Sequence, residues 1–118
     1  MTLSELYQEW LNLKVLPSNK SEVTKSKYGM CKNVIIHLFG DRNISEIKSS
    51  ENQRIMNKYG QKVSRKHLGR LNSNIKASIN LAMADKVMIE DFTAYVELFS
   101  SKKDRKLKTN NFIRRKII

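Results

Sequence analysis

The sequence contains few of the residues that break or cross-link a chain. Its 118 residues include one proline, four glycines and one cysteine. So little proline and glycine disfavours a turn-rich all-β protein, and a single cysteine excludes a disulfide within the chain. Apolar runs are only a few residues long, too short for a membrane span, and the N-terminus lacks the pattern of a signal peptide. We therefore expect a cytoplasmic, helical protein that does not enter a membrane.

Recognisable metal-binding or catalytic spacings are also missing. His37 and His67 lie thirty residues apart, and Cys31 has no second cysteine to share a metal. The sequence has no glycine-rich phosphate loop and no nucleophile motif. We therefore predict no metal, no cofactor and no catalytic residues, and this lack argues against a small nuclease or another enzyme.

Acidic residues are scarce in the middle of the sequence. The formal net charge is +12, from 23 basic and 11 acidic residues. No acid occurs between Glu51 and Asp85, an interval that holds seven lysines or arginines. A cationic, acid-free segment is typical of proteins that bind polyanions. The charge distribution therefore favours a nucleic acid as the partner.

Apolar residues recur at helical spacing, which predicts an all-α fold, a compact bundle of four main helices with short loops. The first helix is expected to open at a capping box formed by Thr2 and Glu5 and to end before Pro17. The second follows a short connector and is capped by Ser18 or Ser21.

The second half of the sequence predicts a short helix and then a long one. A Ser50–Gln53 capping box would open the short third helix, which Gly60 ends. The fourth helix runs from Ser64 to Asp85. Val87 and Ile89 are expected to pack on the end of the bundle after it, and an extended apolar segment then leads out of the bundle.

The fourth helix has two different faces, and the second helix resembles it. Winding the fourth helix puts an apolar stripe on one side, made of Leu68, Leu71, Ile75, Ile79 and Ala82. The other side carries Lys66, Arg70 and Ser73, flanked by Arg65 and Asn74. On the second helix the polar side carries Lys25 and Ser26, with Lys27 and Lys32 at its margins. Either helix alone fits an ordinary amphipathic element, but two basic helices together favour a nucleic-acid surface.

Several stretches resemble the core-binding domain of tyrosine recombinases, the SAM-like helical domain of phage and mobile-element integrases. They are TLSELYQEWL at 2–11, the Thr24–Tyr28 spacing, FGDRNISEI at 39–47 and IKASINLAMADKVMIEDFT at 75–93. The resemblance covers about residues 2–108. It departs from many members at 91–93, where Asp-Phe-Thr stands in place of an Asn-Pro exit.

The resemblance implies the DNA-binding domain of a site-specific recombinase, whose partner is double-stranded DNA. Such a domain grips the core recombination site through its second and fourth helices during integration and excision. Residues 1–99 would form this domain, and 100–118 would be a basic linker towards a catalytic domain. No residue of this sequence can be assigned that domain's catalytic roles, so the chain is expected to be a non-catalytic fragment. The isolated domain is expected to be a monomer, and a full-length protein to form a tetramer on DNA.

The predicted DNA contacts come from two helices and the linker. They are Lys25, Ser26, Lys27, Lys32, Ser64, Arg65, Lys66, Arg70, Ser73, Asn74, Lys102, Lys103, Arg105 and Lys106. The cations would contact phosphates, while Arg70 and Asn74 have the chemistry to bind base edges.

Two alternative functions stay open. One is a helical module for an acidic protein partner, and the other is a free-standing helix-turn-helix regulator, since 60–63 is turn-like.

Overall fold

The computed structural model describes residues 1–86 and 90–101, and these ranges form an all-α fold. Its four α-helices are α1 (Leu3–Trp10), α2 (Glu22–Phe39), α3 (Ser49–Gly60) and α4 (Arg65–Ala84). The described ranges hold no strand, only an isolated bridge between Thr2 and Asn43. The prediction of an all-α bundle with four main helices is confirmed.

The helix starts follow the expected capping chemistry at three places. Thr2 and Glu5 form the predicted capping box at α1. Ser21 caps α2 by accepting the N–H of Thr24, and Ser64 caps α4 in the same way. Each cap satisfies an N–H that has no partner inside its helix, which fixes where the helix begins.

The chain stays helical for five residues beyond the end of α1. A π-helical turn (Leu11–Val15) continues α1, and Leu16 closes it just before Pro17. Ser18 then hydrogen bonds back to the carbonyl of Val15 and does not cap α2. The connector is thereby anchored to the end of α1.

The apolar stripe of α4 lies at the centre of the core. All five of its predicted members are buried: Leu68, Leu71, Ile75, Ile79 and Ala82. They pack with the buried residues of the other elements, including Leu3, Leu6, Tyr7, Ile35, Phe39, Ile44 and Met56. α1 packs against both α2 and α4, so it lies beneath the other two helices and supports both.

The start of α3 differs from the prediction. Lys48 is the N-cap residue and supplies no side-chain cap, so the Ser50–Gln53 capping box is wrong. The Gln53 amide instead bonds the backbone of Glu97 twice, donating to its carbonyl at 2.7 Å and accepting its N–H at 3.0 Å. These two bonds use the amide that a capping box would need, and they tie the exit segment to α3.

The exit segment (residues 91–101) packs along α3. Phe92 is buried, and Val96 and Leu98 are half-buried against the core. At Gly60 the backbone of the segment comes so close that an added Cβ would lie 2.0 Å from the carbonyl oxygen of Phe99. Gly60 is therefore needed for a close approach between two chain segments and does more than end α3.

Asp91 joins the exit segment to α4. Its carboxylate accepts hydrogen bonds from Lys76 Nζ at 2.7 Å and from the backbone N–H of Thr93 at 2.8 Å. Burial raises the pKa of the Asp91 carboxyl, but the hydrogen bonds from Lys76 and Thr93 outweigh burial, so the pKa lies below its usual value. Val87 and Ile89, predicted to pack on the end of the bundle, lie outside the described residues.

Two glycine-to-alanine variants are expected to change stability in opposite directions. In G60A the new methyl group collides with the backbone of Phe99, and we expect the free energy of unfolding to fall by about 1–3 kcal/mol. In G29A the methyl group meets no atom within 4 Å inside α2, and we expect a gain of about 1 kcal/mol. Urea denaturation measures both values. Equal changes in the two variants would contradict the close approach at Gly60.

The Asp91 contacts predict a pH-dependent contribution to stability. Because the folded-state pKa is lowered, ionised Asp91 stabilises the fold at neutral pH, and this contribution disappears as pH falls through that lowered pKa. We expect D91N to reduce the free energy of unfolding by about 1 kcal/mol at neutral pH. The difference from wild type should vanish in acid. A difference that stays constant with pH would show that the charge of Asp91 is not involved.

Candidate nucleic-acid interface

A depression of about 290 Å³ separates the outer faces of α2 and α4. From α2 it is lined by Lys27, Met30, Cys31 and Val34. From α4 it is lined by His67, Arg70, Leu71 and Asn74. Both sets follow the same spacing of i, i+3, i+4 and i+7, which defines one face of a helix. The depression is therefore built from two matching helix faces.

The rim of the depression is cationic. Lys27 stands on the α2 side and Arg70 on the α4 side, and both side chains are exposed. Arg65 and Lys66 add exposed cations in the first turn of α4, where no acid occurs. Positive charge therefore gathers where the N–H groups at the start of a helix also favour an anion.

His67 lies at one end of the depression and contacts α3. Its Nε2 is 3.2 Å from the hydroxyl of Tyr59, and the centroids of the two rings are 6.0 Å apart. Its backbone N–H is the one that Ser64 caps. His67 thus connects α3 with the cationic start of α4.

A buried polar group, the Tyr7 hydroxyl, lies next to Cys31, which is one of the residues that line the depression. Burial raises the pKa of the Tyr7 hydroxyl, and the neighbouring Cys31 raises it further. That hydroxyl donates a 2.8 Å hydrogen bond to the carbonyl of Tyr28. Burial also raises the pKa of the Cys31 thiol, against the opposing effects of hydrogen bonds with Tyr7 and Asn74 and of the charge on Arg70. A thiol with a raised pKa stays protonated near neutral pH and is a poor nucleophile.

Asn74 does not lie on the surface where the sequence put it. Its residue exposure is only 9%, and it contacts Tyr7 and Cys31 at the floor of the depression. The physical reason is that α4 is covered on this side by α1 as well as by the core. The buried face of α4 is therefore wider than its apolar stripe and includes Asn74.

Two predicted lysines on α2 are turned towards the first helical segment. The Lys25 side chain is only 17% exposed, and its Nζ donates a 2.8 Å hydrogen bond to the carbonyl of Leu16. Lys32 Nζ donates to Gln8 Oε1 at 2.9 Å. The structure therefore separates Lys25 and Lys32 from the depression, although both lie on α2, because their helical phase faces α1 and the connector.

The remaining predicted residues divide between the described surface and the end of the chain. Lys27 and Arg70 line the depression, and Ser26, Arg65, Lys66 and Ser73 are exposed on the same two helices, with Ser64 half-buried as the cap of α4. The predicted linker contacts Lys102, Lys103, Arg105 and Lys106 lie outside the described residues. Sequence reasoning missed Met30, Val34 and Leu71 as parts of one concave surface. The shared spacing on the two helices is the signal that could have paired them.

The structure resembles two solved domains of integrases. One is the N-terminal domain of the prophage pi2 protein 01, an integrase from Lactococcus lactis, with a TM-score of 0.74 and 23% identity over 83% of this chain and 95% of that chain. The other is a phage integrase fragment from Staphylococcus saprophyticus, with a TM-score of 0.75 and 29% identity over 86% of this chain and 91% of that chain. No family model and no curated protein matches the sequence.

The chain therefore has the fold of phage integrase N-terminal domains. This likeness confirms the resemblance drawn from the sequence motifs. Among the described residues, no helix is long and apolar enough to cross a membrane. In the same described residues, no three histidine, cysteine, aspartate or glutamate side chains lie close enough together to hold one metal ion.

The raised pKa of Cys31 is testable by alkylation. We expect the pH at which iodoacetamide reacts at half its maximal rate to be higher in the folded chain than in the chain unfolded in urea, because burial disfavours the thiolate. Mass spectrometry of the alkylated peptide over a pH series measures this. The same midpoint in both states would contradict the burial of this thiol.

Proposed function

We propose that this chain is the DNA-binding domain of a site-specific recombinase of the integrase type. The outer faces of α2 and α4 would lie against duplex DNA at the core recombination site. One observation carries the proposal: two matching helix faces enclose a depression with Lys27 and Arg70 on opposite sides of its rim. The fold shared with phage integrase domains supports the same function.

The distribution of ion pairs supports this orientation. Arg42 pairs with Glu51 through two hydrogen bonds, and Lys76 pairs with Asp91. A third pair joins Lys25 and Glu22 at 3.9 Å near the start of α2. None of the residues in these three pairs lines the depression. The cations at the depression face no acidic lining residue. A surface of this kind attracts phosphates over distances set by the Debye length, about 10 Å at 0.1 M salt.

The proposed contacts fall into two chemical groups. Lys27, Arg65, Lys66 and Arg70 would neutralise phosphates, and Ser26, Ser64 and Ser73 would hydrogen bond to the DNA backbone. Backbone N–H groups at the start of α4 would add a fixed partial positive charge. Lys25, Lys32 and Asn74 are left out of this set because their polar groups are engaged within the fold.

The domain assignment extends the proposal along the chain. Residues 1–99 would form the DNA-binding domain, and 100–118 would be a basic linker to a catalytic domain in the same recombinase. Strand cleavage would belong to that catalytic domain, so this chain would bind DNA without cutting it. A monomeric isolated domain, assembly as a tetramer of the full-length recombinase and a cytoplasmic location are parts of the same proposal.

The proposal predicts DNA binding with a steep dependence on salt. We take about six phosphates to be neutralised, by the four cations on α2 and α4 and by about two of the proposed linker contacts Lys102, Lys103, Arg105 and Lys106. Raising salt from about 50 to 200 mM should then weaken binding roughly a thousandfold, because counterions released from DNA drive association. Fluorescence anisotropy of a labelled duplex measures this. Binding that does not change with salt, or no binding at low salt, would rule out the DNA-binding function. Binding to an acidic protein but not to any duplex would favour an interaction module.

A matched pair of charge-reversal variants tests the surface itself. We expect K66E/R70E to lower affinity for the duplex by at least about tenfold and to reduce the slope of the salt dependence by about two. The control K20E/K48E makes the same change in net charge at positions outside the depression. Circular dichroism should give unchanged helicity for both. Equal losses in the two variants would mean that net charge, and not this surface, drives binding.

A further inference from the structure

Met30 is an exposed apolar side chain in the middle of the cationic surface. It is 63% exposed and lies one helical turn from Lys27 on α2. A phosphate contact needs a donor or a positive charge, and a thioether supplies neither. Phosphate binding therefore does not account for Met30 at this position.

The depression beside Met30 is lined mostly by apolar atoms. Val34 forms part of one wall and Leu71 part of the other, and the polar groups of Asn74 and Cys31 are engaged at the floor. A phosphate in this space would lose its water without gaining enough donors. The interior of the depression is therefore suited to an apolar group carried by a molecule whose charges meet the rim.

Duplex DNA carries such a group at one place on its base edges. In the major groove the C5-methyl of thymine is apolar, whereas the other groups that the bases present there are hydrogen-bond donors and acceptors. We propose that Met30, with Val34 and Leu71 behind it, contacts thymine methyl groups and gives this domain a preference for thymine in its site. This inference rests on the proposed DNA-binding function, because the rim cations would hold the duplex against the depression.

The size of the preference follows from the area of one methyl group. Burying a methyl-sized apolar group contributes about fourfold in affinity. Substituting uracil for thymine removes only that group and leaves the charge and the Watson–Crick pairing of the duplex unchanged. We therefore expect the full 118-residue chain to bind an alternating dA-dT duplex about fourfold more tightly than a dA-dU duplex of equal length.

The experiment compares these duplexes with wild type and two variants at low salt. M30Q replaces the thioether with a polar side chain of similar length, and M83Q makes the same change at an exposed methionine in the last turn of α4. M83Q lies roughly 20 Å along α4 from Arg70, and serves as the matched control. We expect M30Q to bind both duplexes equally and M83Q to keep the wild-type preference.

A second pair of duplexes tests the methyl group in a different base pair. Alternating dG-dC DNA with and without 5-methylcytosine differs by a methyl at the same groove position, and we expect methylation to strengthen wild-type binding but not M30Q binding. Tight binding without any effect of the methyl groups would overturn this inference and leave the proposed function intact. A preference that persists in M30Q would overturn the assignment to Met30. Absence of binding to every duplex would instead remove the proposed function itself.

Discussion

The burial of one face of α4 against α1 is the constraint on which the rest of the structure depends. A twenty-residue helix with its apolar stripe fixed in the core has no freedom to rotate about its axis. Its charged positions must then lie at fixed angles from the stripe. α1 supports α2 as well, so the same packing decides which face of α2 is presented beside α4. The cationic surface is thus a consequence of core packing, as well as of composition.

The apolar spacing in the sequence was sufficient to predict the four helices, whereas the family resemblance supplied their assignment to an integrase domain. The stripe from Leu68 to Ala82 fixes α4, and the serine and threonine caps fix three of the helix starts. Both are local signals, because they depend on residues within one or two turns. The start of α3 was not predictable in this way. Gln53 bonds the backbone of Glu97, and no local pattern reports a partner forty-four residues away.

The candidate site was predictable in part for the same reason. Lys66 and Arg70 lie opposite the apolar stripe, so helical phase alone gives their exposure. Asn74 lies at the margin of the stripe, where exposure depends on how far a neighbouring helix reaches around α4. For Lys25 and Lys32 the sequence gives the helix but not the contacts of a long, flexible side chain. Pairing the faces of α2 and α4 required their spatial arrangement.

The double hydrogen bond between Gln53 and Glu97 sets the course of the exit segment. A side-chain amide here occupies a backbone N–H and C=O, as a neighbouring strand does, so residues 91–101 have a defined direction without forming a sheet. The segment ends beside Gly60, whose carbonyl accepts the N–H of Ser101 at 3.3 Å. Gly60 lies just before the cap of α4, at the cationic end of the bundle. By bonding the exit segment at Gln53 and again at Gly60, α3 directs it towards the side of the molecule on which the positive charge is concentrated.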